Sequence, residues 1–185
     1  AAQAYQRGIE RRVAAGLDPR VGSVASLFVS RWDKAVNDKV PTPLRNRLGI
    51  AIGARPYCAY RELLASPRWR RLAAAGARPQ RLIWASTCIK DAAAGDTLYV
   101  EALAAPDTID TMPQKTLQAF ADHGEIKGVM AEDGGDAEAT LARFADSGID
   151  VDALAIRLQC DGAESFVKSW QKIMRRIADK CAAPV

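Results

Sequence analysis

The chain has 185 residues, 49% of them apolar and 26% charged, with a formal net charge of +4 and a pI near 9.0. That length bounds one domain, or one large piece of one, with enough apolar content to bury a core. No apolar run reaches the roughly 18 residues of a membrane span and no signal peptide opens the chain. Basic residues are interleaved with acids instead of forming blocks, so a membrane or nucleic-acid partner is disfavoured and an anionic small molecule is expected.

The opening stretch AAQAYQRGIERRVAAG places Ala4, Tyr5, Ile9 and Val13 at roughly helical spacing, with Gly16 as its stop. It starts in mid-pattern, without an initiator Met or a cap, and reads as the continuation of something longer. RVGSVASLFVSRWD follows as an apolar β-rich run, predicted as a strand over about 21–32 and ending in Arg31 and Asp33. The next helical region, Leu44 to Ala65, contains Gly53 and Pro56, and Pro56 is expected to kink or break it. SPRWRRLAAAGA carries its own punctuation: Ser66 as N-cap, Pro67 at the first helical position, Gly76 at the end.

RLIWASTCIKD gives a second strand, about 81–87, with Trp84 in the core. A short helix is predicted around Tyr99 to Leu103 and a third strand over about 108–111. Helices then fill about 113–180. The first opens at Pro113 and closes at Gly124. The next is amphipathic, with Ala137, Leu141, Phe144 and Ala145 on one side. A short and a long helix follow, joined at Asp161-Gly162. Strands separated by helices imply right-handed crossovers and a parallel α/β sheet. Three strands are few for so many helices, so further strands are expected upstream of Ala1.

Ligands in parallel α/β folds sit at the carboxyl ends of the strands. That selects Ser26, Ser30 and Arg31 on the first strand, Ser86, Thr87 and Lys90 on the second, and Thr111 on the third. Arginine holds phosphate through a planar fork and lysine as a point charge, while serine hydroxyls orient sugar hydroxyls. Each residue alone also fits a plainer role: a strand-end serine as a turn or cap, Arg31 paired with Asp33, and Lys90 with Asp91, as solvated ions. Their coincidence at two strand ends favours a polyol-phosphate pocket. Cys58, Cys88, Cys160 and Cys181 are far apart, form no CxxC pair and share the chain with a single histidine, His123. No metal site and no disulfide framework is expected, and reduced thiols in a cytoplasm are.

SVASLFVSRWDKAVND, RLIWASTCIKD, DTLYVEALAAPDTIDTMP and TLQAFADHG, in that order, resemble the longer-chain bacterial branch of the transaldolase family. The resemblance runs from Ala4 to about Trp170. It implies a (β/α)8 TIM barrel of which residues 1–185 are the carboxyl-terminal part, carrying strands six to eight and the last helices. The implied activity transfers a dihydroxyacetone unit from a ketose phosphate, sedoheptulose 7-phosphate or fructose 6-phosphate, to an aldose phosphate, glyceraldehyde 3-phosphate or erythrose 4-phosphate. The family works through a lysine Schiff base in the pentose phosphate pathway and needs no cofactor.

Carried over by the resemblance, Ser26 bonds the bound three-carbon unit, Arg31 grips phosphate, and Ser86 stands near the same phosphate. Lys90 falls where a second basic ligand belongs, with slightly different spacing. The family's nucleophilic lysine lies in a KIPAT-like segment that is absent here, so this piece alone is expected to be inactive. Lys90 is a weaker alternative nucleophile: desolvation would lower its pKa, and Asp91 would oppose that. A sugar-phosphate binding module without catalysis is the competing reading, and an acidic-protein or RNA partner a weaker one. His123 reads as a helix C-terminal residue interacting with the dipole. Cys88 reads as a packed thiol where relatives carry a small residue. Both outer strands would be open, so the missing barrel half or a partner chain is expected to cover them.

Overall fold

The computed structural model describes residues 1–89, 91 and 93–182. They form two compact units, divided between Ser147 and Gly148. The first unit contains a three-stranded sheet in the order β1-β2-β3, with β1 at Ser23–Phe28, β2 at Gln80–Ala85 and β3 at Thr108–Asp110. Both pairings are parallel, as strands separated by helices require.

Helices α1 (Ala2–Ala14), α2 (Ser30–Val36), α3 (Leu48–Ala65) and α4 (Pro67–Ala74) precede β2 or flank it in sequence. Then come α5 (Leu98–Ala102), α6 (Gln114–His123) and α7 (Ala137–Asp146). The main core packs Val29, Tyr57, Tyr60, Trp84, Tyr99 and Leu103 together. A satellite cluster joins Ile9 of α1 to Trp69 and Leu72 of α4. The expected cap is present at α4, where Ser66 Oγ accepts from Trp69 N at 3.1 Å and donates to Leu63 O at 2.7 Å.

Four expectations are corrected. The first strand ends at Phe28, so Ser30, Arg31 and Trp32 are helical. The buried residues Val29, Asp33 and Val36 recur at three to four residues, which is helical spacing and overrides the β-rich composition of the run. Helix α3 starts at Leu48, after a 3-10 turn at Thr42–Leu44, and continues through Pro56. A proline inside a helix costs about 3 kcal/mol. Burial of Leu48, Ile52, Tyr57 and Tyr60 along the same helix outweighs that, at about 1.5–3 kcal/mol for each fully buried large side chain. On α7, Thr140 is buried and Ala145 is exposed. The second unit is a single 32-residue helix, α8 (Val151–Ala182), uninterrupted at Asp161-Gly162. One interior glycine costs only about 1 kcal/mol, too little to stop a propagating helix.

Candidate functional site at the strand ends

Paired residues of in-register parallel strands share a face of the sheet. Leu27 pairs with Trp84, and both pack into the main core. Ser26 pairs with Ile83, and Phe28 with Ala85, so these four stand on the opposite face. That face is open: Ser26 is exposed, as is Val24 two residues before it. Arg31, although on α2, returns to this side, with its guanidinium carbon 4.4 Å from the Phe28 ring centroid. Stacking on an aromatic ring orients the planar fork without consuming its donors.

The first two strands stay joined beyond their ends. Val29 N donates to Ala85 O at 2.8 Å and Ser30 N to Ser86 O at 3.0 Å. Ser86 has φ +58°, a left-handed conformation that costs a non-glycine residue about 1–2 kcal/mol. Its hydroxyl lies 2.8 Å from that of Ser30, which is itself buried. The structure therefore brings Ser30 and Ser86 into contact and sets Arg31 beside them. Ser26 sits earlier on β1, where its hydroxyl makes no hydrogen bond among the described residues. It lines a groove of about 790 Å³ with Leu27, Gln80 and Leu82.

Two other hydroxyls are taken up internally. Thr87, fully buried, donates its single proton between Asp110 Oδ1 at 2.9 Å and Thr111 O at 3.1 Å. Thr111 Oγ1 donates to Trp84 O at 3.0 Å. These ties fix β3 to the end of β2. Burial pushes the Asp110 carboxyl up, against the Thr87 and Thr111 hydrogen bonds that favour its charge, and its Oδ2 has no partner. Cys88 is half-buried and forms no disulfide. Lys90, both as phosphate ligand and as alternative nucleophile, lies outside the described residues.

Asp33 removes the plainer alternative for Arg31, a solvated pair between the two. It is 1% exposed and accepts from Leu48 N at 2.8 Å, Gly49 N at 3.0 Å and Tyr99 OH at 2.7 Å. Burial pushes its pKa up, while the Tyr99 hydroxyl and the two amides pull the other way. The Tyr99 phenol is raised well above its ordinary value by burial and by the adjacent Asp33. Asp33 thus caps α3 from α2 and fixes the segment that bears Ser30 and Arg31.

A second polar tie holds the loop after β2. Asn46 Nδ2 donates to Asp91 Oδ2 at 2.9 Å, and Asn46 in turn exchanges bonds with Asn37 at 2.7 and 3.0 Å. The Ala93 amide and Asn46 hold the Asp91 carboxyl below its ordinary value. Sequence reasoning missed Asp33, Tyr99 and Asn46. Only the helical spacing of Val29, Asp33 and Val36 could have found the first. Among the described residues no group of three His, Cys, Asp or Glu side chains could hold a metal ion, and no helix is long and apolar enough to cross a membrane.

The Transaldolase/Fructose-6-phosphate aldolase family model matches residues 1–177. The chain is 43% identical over 186 residues to a protein named Transaldolase from Parafrankia sp., covering 96% of this chain and 50% of that relative. It is 44% identical over 178 residues to a Transaldolase from Acidothermus cellulolyticus, covering 92% and 48%. It is 41% identical over 172 residues to one from Neisseria meningitidis, covering 92% and 49%. The chain spans about half the length of the curated relatives it matches. With those matches, and with a parallel α/β sheet of the kind from which a (β/α)8 barrel is built, the chain belongs to the transaldolase/fructose-6-phosphate aldolase family.

Proposed function

We propose that residues 1–185 form the phosphate-holding side of a transaldolase active site, with β1, β2 and β3 as strands six, seven and eight of its barrel. The observation that carries this reading is the 2.8 Å contact between Ser30 and Ser86, which unites two strand ends beside the ring-stacked Arg31. In this reading Arg31 and Ser86 hold the phosphate of the sugar, Lys90 adds a second positive charge, and Ser26 bonds the three-carbon unit.

The nucleophilic lysine belongs to polypeptide outside residues 1–185. Its free amine adds to the ketose C2 carbonyl and loses water to form an imine. Cleavage of the C3–C4 bond sends that electron pair into the protonated imine, giving an enamine, and releases an aldose phosphate. The enamine carbon then attacks the acceptor aldehyde, and water frees the lysine. Arg31 and Ser86 anchor the far, anionic end, which converts binding energy into orientation of the reacting carbons.

The test is a barrel assembled with the amino-terminal strands, assayed with phosphorylated and unphosphorylated acceptors. Arg31→Ala should lower kcat/KM for the phosphorylated acceptor by about tenfold to a hundredfold, the worth of one or two charge-assisted hydrogen bonds, and spare the unphosphorylated one. Equal losses for both acceptors refute the phosphate role. Borohydride trapping with fructose 6-phosphate should label a lysine outside this chain. Labelling of Lys90 would replace the upstream nucleophile, and binding without any transfer would leave a sugar-phosphate binding module.

A further inference from the structure

The two cations assigned to the phosphate arise on different segments, Arg31 in the first turn of α2 and Lys90 in the chain that follows β2. One phosphate presents the same few oxygens to both, so the two segments have to keep a fixed separation. Helix α2 is tied down at two points one turn apart, Asp33 and the C-cap residue Asn37. Asp33 accepts from Leu48 N and Gly49 N at the start of α3. Just before that start, Asn37 Nδ2 donates to Asn46 Oδ1 at 2.7 Å and Asn46 N donates to Asn37 Oδ1 at 3.0 Å.

Asn46 is 8% exposed and has φ +59°, a left-handed conformation that asparagine takes more readily than most side chains. Its Nδ2 reaches across to Asp91 Oδ2 at 2.9 Å. The other bonds of Asp91 are local: Oδ1 accepts from Ala93 N at 3.0 Å, and the carbonyl oxygen accepts from Ala94 N at 3.2 Å. Among the described residues, Asn46 therefore supplies the hydrogen bond that ties Asp91 to another part of the fold.

We propose that Asn46 is a positioning residue for the phosphate site, holding Asp91, and with it the main chain beside Lys90, against the helix that bears Arg31. Adjacent Cα atoms are only about 3.8 Å apart, so a displaced Asp91 carries its neighbour with it. This role deepens the sugar-phosphate reading and rests on it.

The test uses the barrel assembled with the amino-terminal strands, with glyceraldehyde 3-phosphate and unphosphorylated glyceraldehyde as acceptors. Asn46→Asp turns the donor into a second carboxylate facing Asp91. It should lower kcat/KM for glyceraldehyde 3-phosphate by about tenfold, the worth of one hydrogen bond to a charged group, and spare glyceraldehyde. A merely structural loss would lower both alike. Adding Asp91→Asn reverses the bond, since the amide at 91 then donates to the carboxylate at 46, and Asn37 Nδ2 and Ala93 N keep their acceptors. The double variant should recover the wild-type ratio of the two acceptors to within about twofold, which also shows that Asn46→Asp did not act by misfolding. Asn46→Gly suits the left-handed backbone but lacks the amide; it should lower the same ratio, and Asp91→Asn should not restore it. Arg31→Ala, measured alongside, separates two failures. Equal losses for both acceptors in Arg31→Ala would sink the phosphate reading and this role with it. Discrimination by Arg31→Ala, with none by Asn46→Asp or Asn46→Gly or with no recovery in the double variant, would overturn the role of Asn46 alone.

Discussion

A methyl group on Gly49 tests the junction that holds the site. Built there, it would stand 2.6 Å from Asp33 Oδ2, 2.7 Å from the Val29 carbonyl oxygen and 2.9 Å from Val29 Cγ1. Glycine to alanine inside a helix ordinarily gains about 1 kcal/mol. Here the gain is opposed by about 1–3 kcal/mol of overpacking. Weakening of the two amide bonds from Leu48 and Gly49 to the Asp33 carboxyl adds about 1.5–3 kcal/mol if one of them is lost. The expected net effect of Gly49→Ala is a destabilisation of about 2–4 kcal/mol, read as a lower urea midpoint at unchanged slope. Gly8 on α1 has nothing within 4 Å of the corresponding methyl position, so Gly8→Ala should stabilise by up to about 1 kcal/mol. If Gly49→Ala proves neutral or stabilising like Gly8→Ala, the close packing of α2 on α3 is wrong.

Three further outcomes follow from the same geometry. Asp110→Asn keeps an acceptor for Thr87 and removes a carboxyl whose folded-state pKa is raised by burial. The wild-type carboxyl contributes stability below its ordinary pKa that is lost as pH rises through the raised value. The variant should therefore gain thermal midpoint at neutral pH and lose part of that slope, the remainder belonging to Asp33, raised in the same way. Ser66→Ala should cost about 1–2 kcal/mol in urea titration, since one hydroxyl serves both the start of α4 and the end of α3. His123, the chain's single histidine, bonds Asp96 at 2.8 Å and Asp122 at 3.2 Å, and both raise its pKa. Proton NMR should show one imidazole titrating above the ordinary histidine value. The stabilisation should be complete below that ordinary value and fade as pH rises through the raised one, and Asp96→Asn should lower the titration midpoint.

The elements that announced themselves in sequence did so through local chemistry. Ser66-Pro67 specifies a helix start within two residues, and the apolar run at β2 is as short as a strand and ends in the polar pair Ser86 and Thr87. Pro56 and Asp161-Gly162 misled because a local cost of a few kcal/mol was weighed without the burial or propagation that opposes it. Val29 to Trp32 misled because an apolar run does not state where period two gives way to period three and a half. Asp33 was illegible for another reason. Its partners Leu48, Gly49 and Tyr99 are 15, 16 and 66 positions away, so the spacing of Val29, Asp33 and Val36 could mark it as buried but nothing near it in the chain says what it holds. That Ser30 and Ser86 stand at neighbouring strand ends was legible as residue types; that Thr87 and Thr111 face inward to structural partners was not.

The serine pair at the strand ends has a consequence for proton direction. Two hydroxyls in contact own two protons but need only one for the bond between them. Ser30 is shut away from solvent, and among the described residues its hydroxyl meets no side chain but that of Ser86, either of the two supplying the shared proton. The pair therefore carries one proton more than its own bond consumes, and Ser86, the member that keeps some access to solvent, is the one through which a visiting oxygen could meet it.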